Sequence, residues 1–267
     1  MIKKFLKYHP IHKKLVPNLD ILFLLRPTYF FSVWVMVVIG MSSAQMHLVD
    51  YPLWISGFSW KTFFTFLGLT FVCSSTFILN QISDEESNSG NERLFIIGKH
   101  VSLEKSQLVA KILLIVGFII SLVTIWFTTI LVGCIYLIWG IIYNQKPFNW
   151  KKQPVLGWLA NSMVGGLLFA VGWFVVMNNQ LNYGATILDR ALFEYMFPYL
   201  LGFSSIALLT TLVNRNGDTE SEDRTLPAMY GKMPILILAL IFICVSFIFA
   251  LQHGDPLAST AVLVSIP

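Results

Sequence analysis

Residues 60–88 read WKTFFTFLGLTFVCSSTFILNQISDEESN, and this stretch decides the fold. Between Trp60 and Leu79 the only charge is Lys61, in the first turn; Asn80, Asp84 and Asn88 then follow at four-residue steps. A helix needs about 20 mostly apolar residues to cross the hydrocarbon of a bilayer, and this run supplies them before it turns polar. As one continuous helix it crosses and then sets three oxygen-bearing side chains on one face, each ~6 Å beyond the last.

Working outward, runs near 28–46, 107–127, 129–143, 156–177, 194–213 and 233–251 have the same character. The run at 129–143 is short and follows its predecessor with almost no turn. With 60–80 these make seven full spans, and 258–267 offers a short, incomplete eighth. The expected fold is therefore all-α, a single multi-span transmembrane bundle over residues 1–267. Composition agrees: 56% of residues are hydrophobic and 12% charged, against about 25% charged in a soluble domain. A net charge of +4 gives no electrostatic case for nucleic acid. Cys73, Cys134 and Cys244 each stand alone in an apolar run and read as core filler.

The distribution of cations orients the bundle. Residues 1–20 form a basic arm with Lys3, Lys4, Lys7, Lys13 and Lys14 but no apolar core for a signal peptide. If that arm is cytoplasmic, sixteen Lys and Arg fall on the inner side and only Lys61 and Arg190 on the outer. That asymmetry is the positive-inside pattern, and it predicts an integral, multi-pass protein with a cytoplasmic N-terminus. Asp50, Asp189, Glu194 and Asp255 stand singly in the opposite loops and read as water-facing charges.

A second polar cluster matches the first. The run at 194–213 ends in LVNRNGDTESEDRTLP, where Asn214, Asp218 and Glu222 repeat the four-residue spacing. Two oxygen-rich helix ends on one side of a membrane suit Mg²⁺, which takes oxygen ligands and keeps phosphate oxygens among them. Polar groups near membrane depth are costly, so a pair of such clusters invites a functional reading. In the loop YNQKPFNWKKQP, Tyr143, Lys146, Lys151 and Lys152 lie at the membrane edge. Lysines there either bind diphosphate as point charges or snorkel to anchor the helix.

Taken together these residues resemble the UbiA-type intramembrane prenyltransferase superfamily. Asn80-Gln-Ile-Ser-Asp84-Glu-Glu-Ser-Asn88 lies over its Asn-Asp-x-x-Asp-x-x-x-Asp signature. Asn214-Arg-Asn-Gly-Asp218 with Thr225-Leu226-Pro227 lies over its Asp-x-x-x-Asp and Thr-Leu-Pro elements. Tyr143, Pro147 and Lys151 match its Tyr-Ser-x-x-Pro-x-Arg-x-Lys loop, and Arg26-Pro27, Gly98, Ser102 and Asn161 fall in the family's order. Gln81, Asn88, Asn149 and Asn214 depart from it; each Asp-to-Asn change keeps a carbonyl oxygen and removes a negative charge.

The resemblance implies a Mg²⁺-dependent transfer of an isoprenyl group from an isoprenyl diphosphate to a lipophilic or aromatic acceptor. It implies Asp84 and Asp218 as the main metal carboxylates, with Asn88, Asn214 and Glu222 as further metal ligands. Tyr143 would orient the leaving group. Lys151, with Arg93 and Lys146 behind it, would contact diphosphate, and Asn80 and Asn161 would contact substrate. Arg26 reads equally as a substrate contact or a positive-inside anchor. Three alternatives stay open: a related terpene cyclase, a non-catalytic paralogue that binds prenyl lipid, and a transporter.

Overall fold

The computed structural model describes residues 19–49, 59–87, 97, 101–181, 189–220 and 226–265. Side chains of 85–87 and 213–220 lie outside what is described. Among the described residues there is no strand beyond one isolated bridge, Ile97 to Val101. Six helices are long and apolar enough to cross a membrane, and a shorter apolar one spans Trp126–Ile142.

Pro27 disfavours the right-handed helical region for the residue before it. Arg26 avoids that region, but in the left-handed conformation at φ 52° and ψ 60° rather than the extended one. A 3₁₀ turn, Pro27–Tyr29, then leads into α1, Phe30–Val49. Helix α2 runs unbroken over Trp60–Ser87. Its 28 residues rise about 42 Å, longer than ~30 Å of hydrocarbon, so a layer that starts at Trp60 ends near Asn80 and leaves Asp84 about one turn beyond it. Helix α3, Leu103–Thr124, starts at Ser102, whose hydroxyl accepts from Lys105 N–H as an N-cap.

The expected boundary between 107–127 and 129–143 lies instead at Ile125, which is extended at φ −141°. Hydropathy runs unbroken through this point, so only backbone geometry could locate the reversal. Helix α4, Trp126–Ile135, passes into a π-helical segment, Tyr136–Ile142, where Tyr143 N–H reaches back five residues to Ile138 C=O. After a 3₁₀ turn at Trp150–Lys152 come α5, Pro154–Leu181, and α6, Arg190–Glu220. A short α7, Leu226–Tyr230, then precedes α8, Lys232–Gln252, and α9, Pro256–Ser265.

Helix α5 is the axis of the bundle: 78% of its apolar window is buried, against 17% for α3 and 22% for α8. Its seam with α1 is backbone against backbone. A Cβ on Gly172 would stand 1.9 Å from Val37 C=O, and one on Gly40 2.0 Å from Phe169 C=O. Small residues that let helices approach closely are what a lipid-solvated bundle uses in place of hydrophobic collapse. Hydroxyl bonds tie α6 to α8, from Ser205 to Ala239 C=O and from Ser246 to Pro198 C=O. Leu108, Ile112, Ile115, Ile119 and Leu122 on α3 are exposed, a surface suited to lipid tails.

Two expectations are corrected. Asp255 is 2% exposed rather than water-facing. One of its oxygens accepts from Leu257 and Ala258 N–H, because the orphan donors at the start of α9 need a cap. Cys244 is exposed on the flank of α8 rather than packed in the core, while Cys73 is buried as expected.

Candidate functional site

A cavity of about 640 Å³ opens at the end of the bundle that carries Asn80. Residues 26–32, α2, the π-helical end of α4, α5 and α6 all contribute to its wall. Its apolar side is aromatic. Phe77 meets Tyr29 edge-on at 5.4 Å between centroids and Trp139 at 5.8 Å, and Phe203 enters from α6. The Arg26 guanidinium lies 5.6 Å from the Tyr29 ring centroid, within the range of a cation–π contact.

The polar wall is a chain of amides. Arg26 Nη1 donates to Asn80 Oδ1 at 3.4 Å, and Asn80 Nδ2 donates to Asn144 Oδ1 at 2.8 Å. Asn144 Nδ2 donates in turn to Trp139 C=O, while Ser83 Oγ donates to Asn144 C=O at 2.9 Å. Trp139 Nε1 donates to Asn161 Oδ1 at 2.9 Å. One turn beyond Asn80, Lys151 Nζ meets Asp84 Oδ1 at 2.7 Å. The Lys151 side chain is only 10% exposed and the Asp84 side chain 33%. A buried ammonium needs such a partner, since an unpaired charge out of water is costly.

The sequence-derived candidates divide into three groups. Arg26, Asn80, Tyr143 and Asn161 line the cavity together, with Asp84 and Lys151 joined one turn beyond Asn80. Lys146 lies exposed in the turn after the π-helical segment and does not line the cavity. Asn88, Arg93 and Glu222 lie outside the described residues. Asn214 and Asp218 continue α6 beyond Thr210 at four-residue steps; Thr210 and Thr211 line the cavity, and the side chains at 214 and 218 are not described.

Sequence reasoning passed over Asn144 and Trp139. Asn144 directly follows Tyr143 and is 4% exposed, but the π-helical turn that swings it toward α2 has no compositional signature. Trp139 read as one more apolar residue of a span.

The donors at the mouth of the cavity suit Mg²⁺. Asp84 offers a carboxylate and Asn80 a carbonyl oxygen one helical turn apart, and both are the hard oxygen ligands that this ion takes. They fit as one side of a site. Among the described residues no three His, Cys, Asp or Glu side chains converge. A second side would have to come from residues such as Asp218.

Comparison with known proteins identifies the family and the fold. A family model described as the UbiA prenyltransferase family matches residues 29–267. A 2-acylphloroglucinol 4-prenyltransferase of Humulus lupulus is 25% identical over 205 residues, covering 73% of this chain and 48% of that protein. A chloroplastic 2-acyl-4-prenylphloroglucinol 6-prenyltransferase of the same plant is 25% identical over 213 residues. The chain thus spans about half the length of these curated relatives. A UbiA homologue from Archaeoglobus fulgidus, solved with GPP and Mg²⁺, superposes with a TM-score of 0.73 at 14% identity, covering 92% of this chain and 85% of that one. A digeranylgeranylglyceryl phosphate synthase superposes at 0.64 with 20% identity, covering 94% and 87%.

Proposed function

The chain belongs to the UbiA prenyltransferase family, and from that premise we propose that it transfers an isoprenyl group from an isoprenyl diphosphate to a lipophilic or aromatic acceptor, with Mg²⁺, at the cavity between α2 and α6. The observation that carries this reading is the pairing of one polar mouth with an aromatic interior. Arg26, Asn80, Asp84 and Lys151 gather at one end, and Tyr29, Phe77, Trp139 and Phe203 line the space beyond. An amphipathic diphosphate has the same two halves.

In this reading Asp84 and Asp218 would hold the metal, with Asn80, Asn88, Asn214 and Glu222 adding oxygens. Lys151 and Arg26 hold diphosphate oxygens, supported by Arg93 and Lys146 from the flanking loops. Tyr143 orients the leaving group, and Asn161 contacts the substrate. Magnesium, when bound, supplies positive charge to the departing diphosphate. The residues supply fixed donors in a site of low dielectric, where such charges act more strongly than in water. The aromatic wall excludes water and offers π faces to an allylic cation. The mouth faces the cytoplasm, as the cation asymmetry of the loops suggests. The Humulus relatives, named for acylphloroglucinols, favour an aromatic acceptor.

The test is a turnover screen of purified protein with dimethylallyl, geranyl and longer diphosphates. Each is run with and without Mg²⁺ and with and without a phenolic acceptor, read by mass spectrometry and pyrophosphate release. Prenylated acceptor is the expected product. A terpene formed without acceptor would assign a cyclase. Binding without pyrophosphate release would overturn catalysis altogether.

A further inference from the structure

We propose that Asn144 is a positioning residue that holds Asn80 with its carbonyl oxygen, never its NH₂ group, turned to the mouth of the cavity. The inference rests on the metal–diphosphate reading of that mouth and adds a residue to it.

The argument runs along the amide chain from a fixed end. A backbone carbonyl can only accept, so the Asn144 group that faces Trp139 C=O is its NH₂. Asn144 therefore presents Oδ1 to Asn80. An oxygen facing Asn80 demands a donor, so Asn80 turns its own NH₂ inward. Its Oδ1 is left on the opposite side, where Arg26 reaches it at 3.4 Å. That bond is long for N–H···O, and the second lone pair of Oδ1 is not engaged by any described hydrogen bond. Trp139 C=O stands at this point because Tyr143 N–H bonds to Ile138 C=O across the π-helical turn. Ser83 holds the Asn144 backbone in place through its carbonyl. The whole assembly is half-buried or buried, so neither amide can turn without stranding a polar atom.

The consequence is chemical. An amide free to rotate presents oxygen or nitrogen with similar ease. Only the oxygen can ligate Mg²⁺; the NH₂ would repel the ion and donate to phosphate instead. Asn144 thus makes Asn80 a metal-side oxygen, while its own amide is already spent on Trp139 C=O and on Asn80. Partners that orient a metal's ligands typically cost about 10- to 100-fold in metal affinity when removed.

The experiment measures binding of labelled inorganic pyrophosphate to purified protein by equilibrium dialysis as Mg²⁺ is raised, for wild type, Asn144→Leu, Asn80→Asp and Asn80→Asp with Asn144→Ser. In Asn144→Leu the Mg²⁺ midpoint should rise about tenfold, with pyrophosphate affinity at saturating Mg²⁺ nearly kept. In Asn80→Asp the new carboxylate would face Asn144 Oδ1, oxygen against oxygen, so the midpoint should rise although negative charge has been added. Asn144→Ser in that background supplies a hydroxyl able to donate, and the midpoint should return to or below that of wild type. This sign reversal does not arise from a merely structural role. Each variant is checked for monodisperse elution, and the serine double variant keeps the test open if Asn144→Leu fails to fold. Asn80→Asp binding Mg²⁺ more tightly with Asn144 intact overturns the inference. So does Asn144→Leu lowering the binding plateau with the midpoint unmoved. If wild type binds no pyrophosphate with Mg²⁺, the function proposed above falls first, and this inference falls with it.

Discussion

Replacing Lys151 with methionine probes the reasoning most directly. The ammonium lies 2.7 Å from Asp84 Oδ1, with the lysine side chain 10% exposed and the aspartate 33% exposed. At an effective dielectric of ~20 the direct attraction is about 6 kcal/mol. Burying the ammonium cancels several kcal/mol of that. Solvent screens the half-open carboxylate further. A net loss of about 1–2 kcal/mol in stability is expected, at or just below the lower end for a hydrogen bond to a charged group. Methionine keeps the length and apolar stem, so packing along Lys151 should change little.

The effect on turnover should be larger than the effect on stability. If Lys151 leaves Asp84 to hold diphosphate once metal arrives, removing it takes away a fixed donor to a charge that grows in the transition state. Such donors are worth roughly 10²–10³ in rate. The assay is pyrophosphate release alongside thermal unfolding in detergent, completed by Asp84→Asn and the double variant. Turnover losses in the cycle should be strongly non-additive, since both residues serve one reaction centre. A Lys151→Met variant that melts earlier yet turns over at the wild-type rate would refute the argument, leaving the pair as a clamp between α2 and the loop before α5.

Further expectations follow from the same geometry. Chelation with EDTA should abolish pyrophosphate release, and added Mg²⁺ should restore it; activity that survives chelation removes the metal from the scheme. Gly172→Ala should destabilise the bundle by about 1–3 kcal/mol through overpacking of the α1–α5 seam. Gly133→Ala is the matched control, because its Cβ would meet nothing closer than 3.7 Å. Equal melting of the two would contradict the close backbone contact. For orientation, single cysteines at Lys152 and Arg190, in a background without Cys73, Cys134 and Cys244, should react with impermeant maleimide from the cytoplasmic and the outer face respectively. The reverse pattern would place the mouth outside.

Much of the fold was legible because membrane insertion is read locally. Each span announces itself as a run of apolar residues, whatever packs against it, and the long α2 runs past the apolar layer because its polar end follows without a helix breaker. Asp255 escaped that reading because its capping role depends on α9 folding back against α8. The reversal at Ile125 escaped it because both flanks are equally apolar. Of the candidate site, Arg26, Asn80, Asp84, Tyr143, Lys151 and Asn161 were visible as polar residues at helix ends or as matches to family motifs. Asn144 and Trp139 were not, since nothing local distinguishes a loop asparagine or a span tryptophan that bonds across helices.

Chain order alone determined the membrane-spanning class and the positions of the long apolar runs. Transfer from water to lipid is summed residue by residue, so it needs no partner. Only the tertiary structure decided that Arg26 meets Asn80 across 54 residues, Asn80 meets Asn144 across 64, and Asp84 meets Lys151 across 67. Those meetings depend on how closely α1 can approach α5 at Gly40 and Gly172 and on one π-helical turn. Hydrogen bonds are directional and short, so a shift of a single ångström between packed helices makes or breaks them.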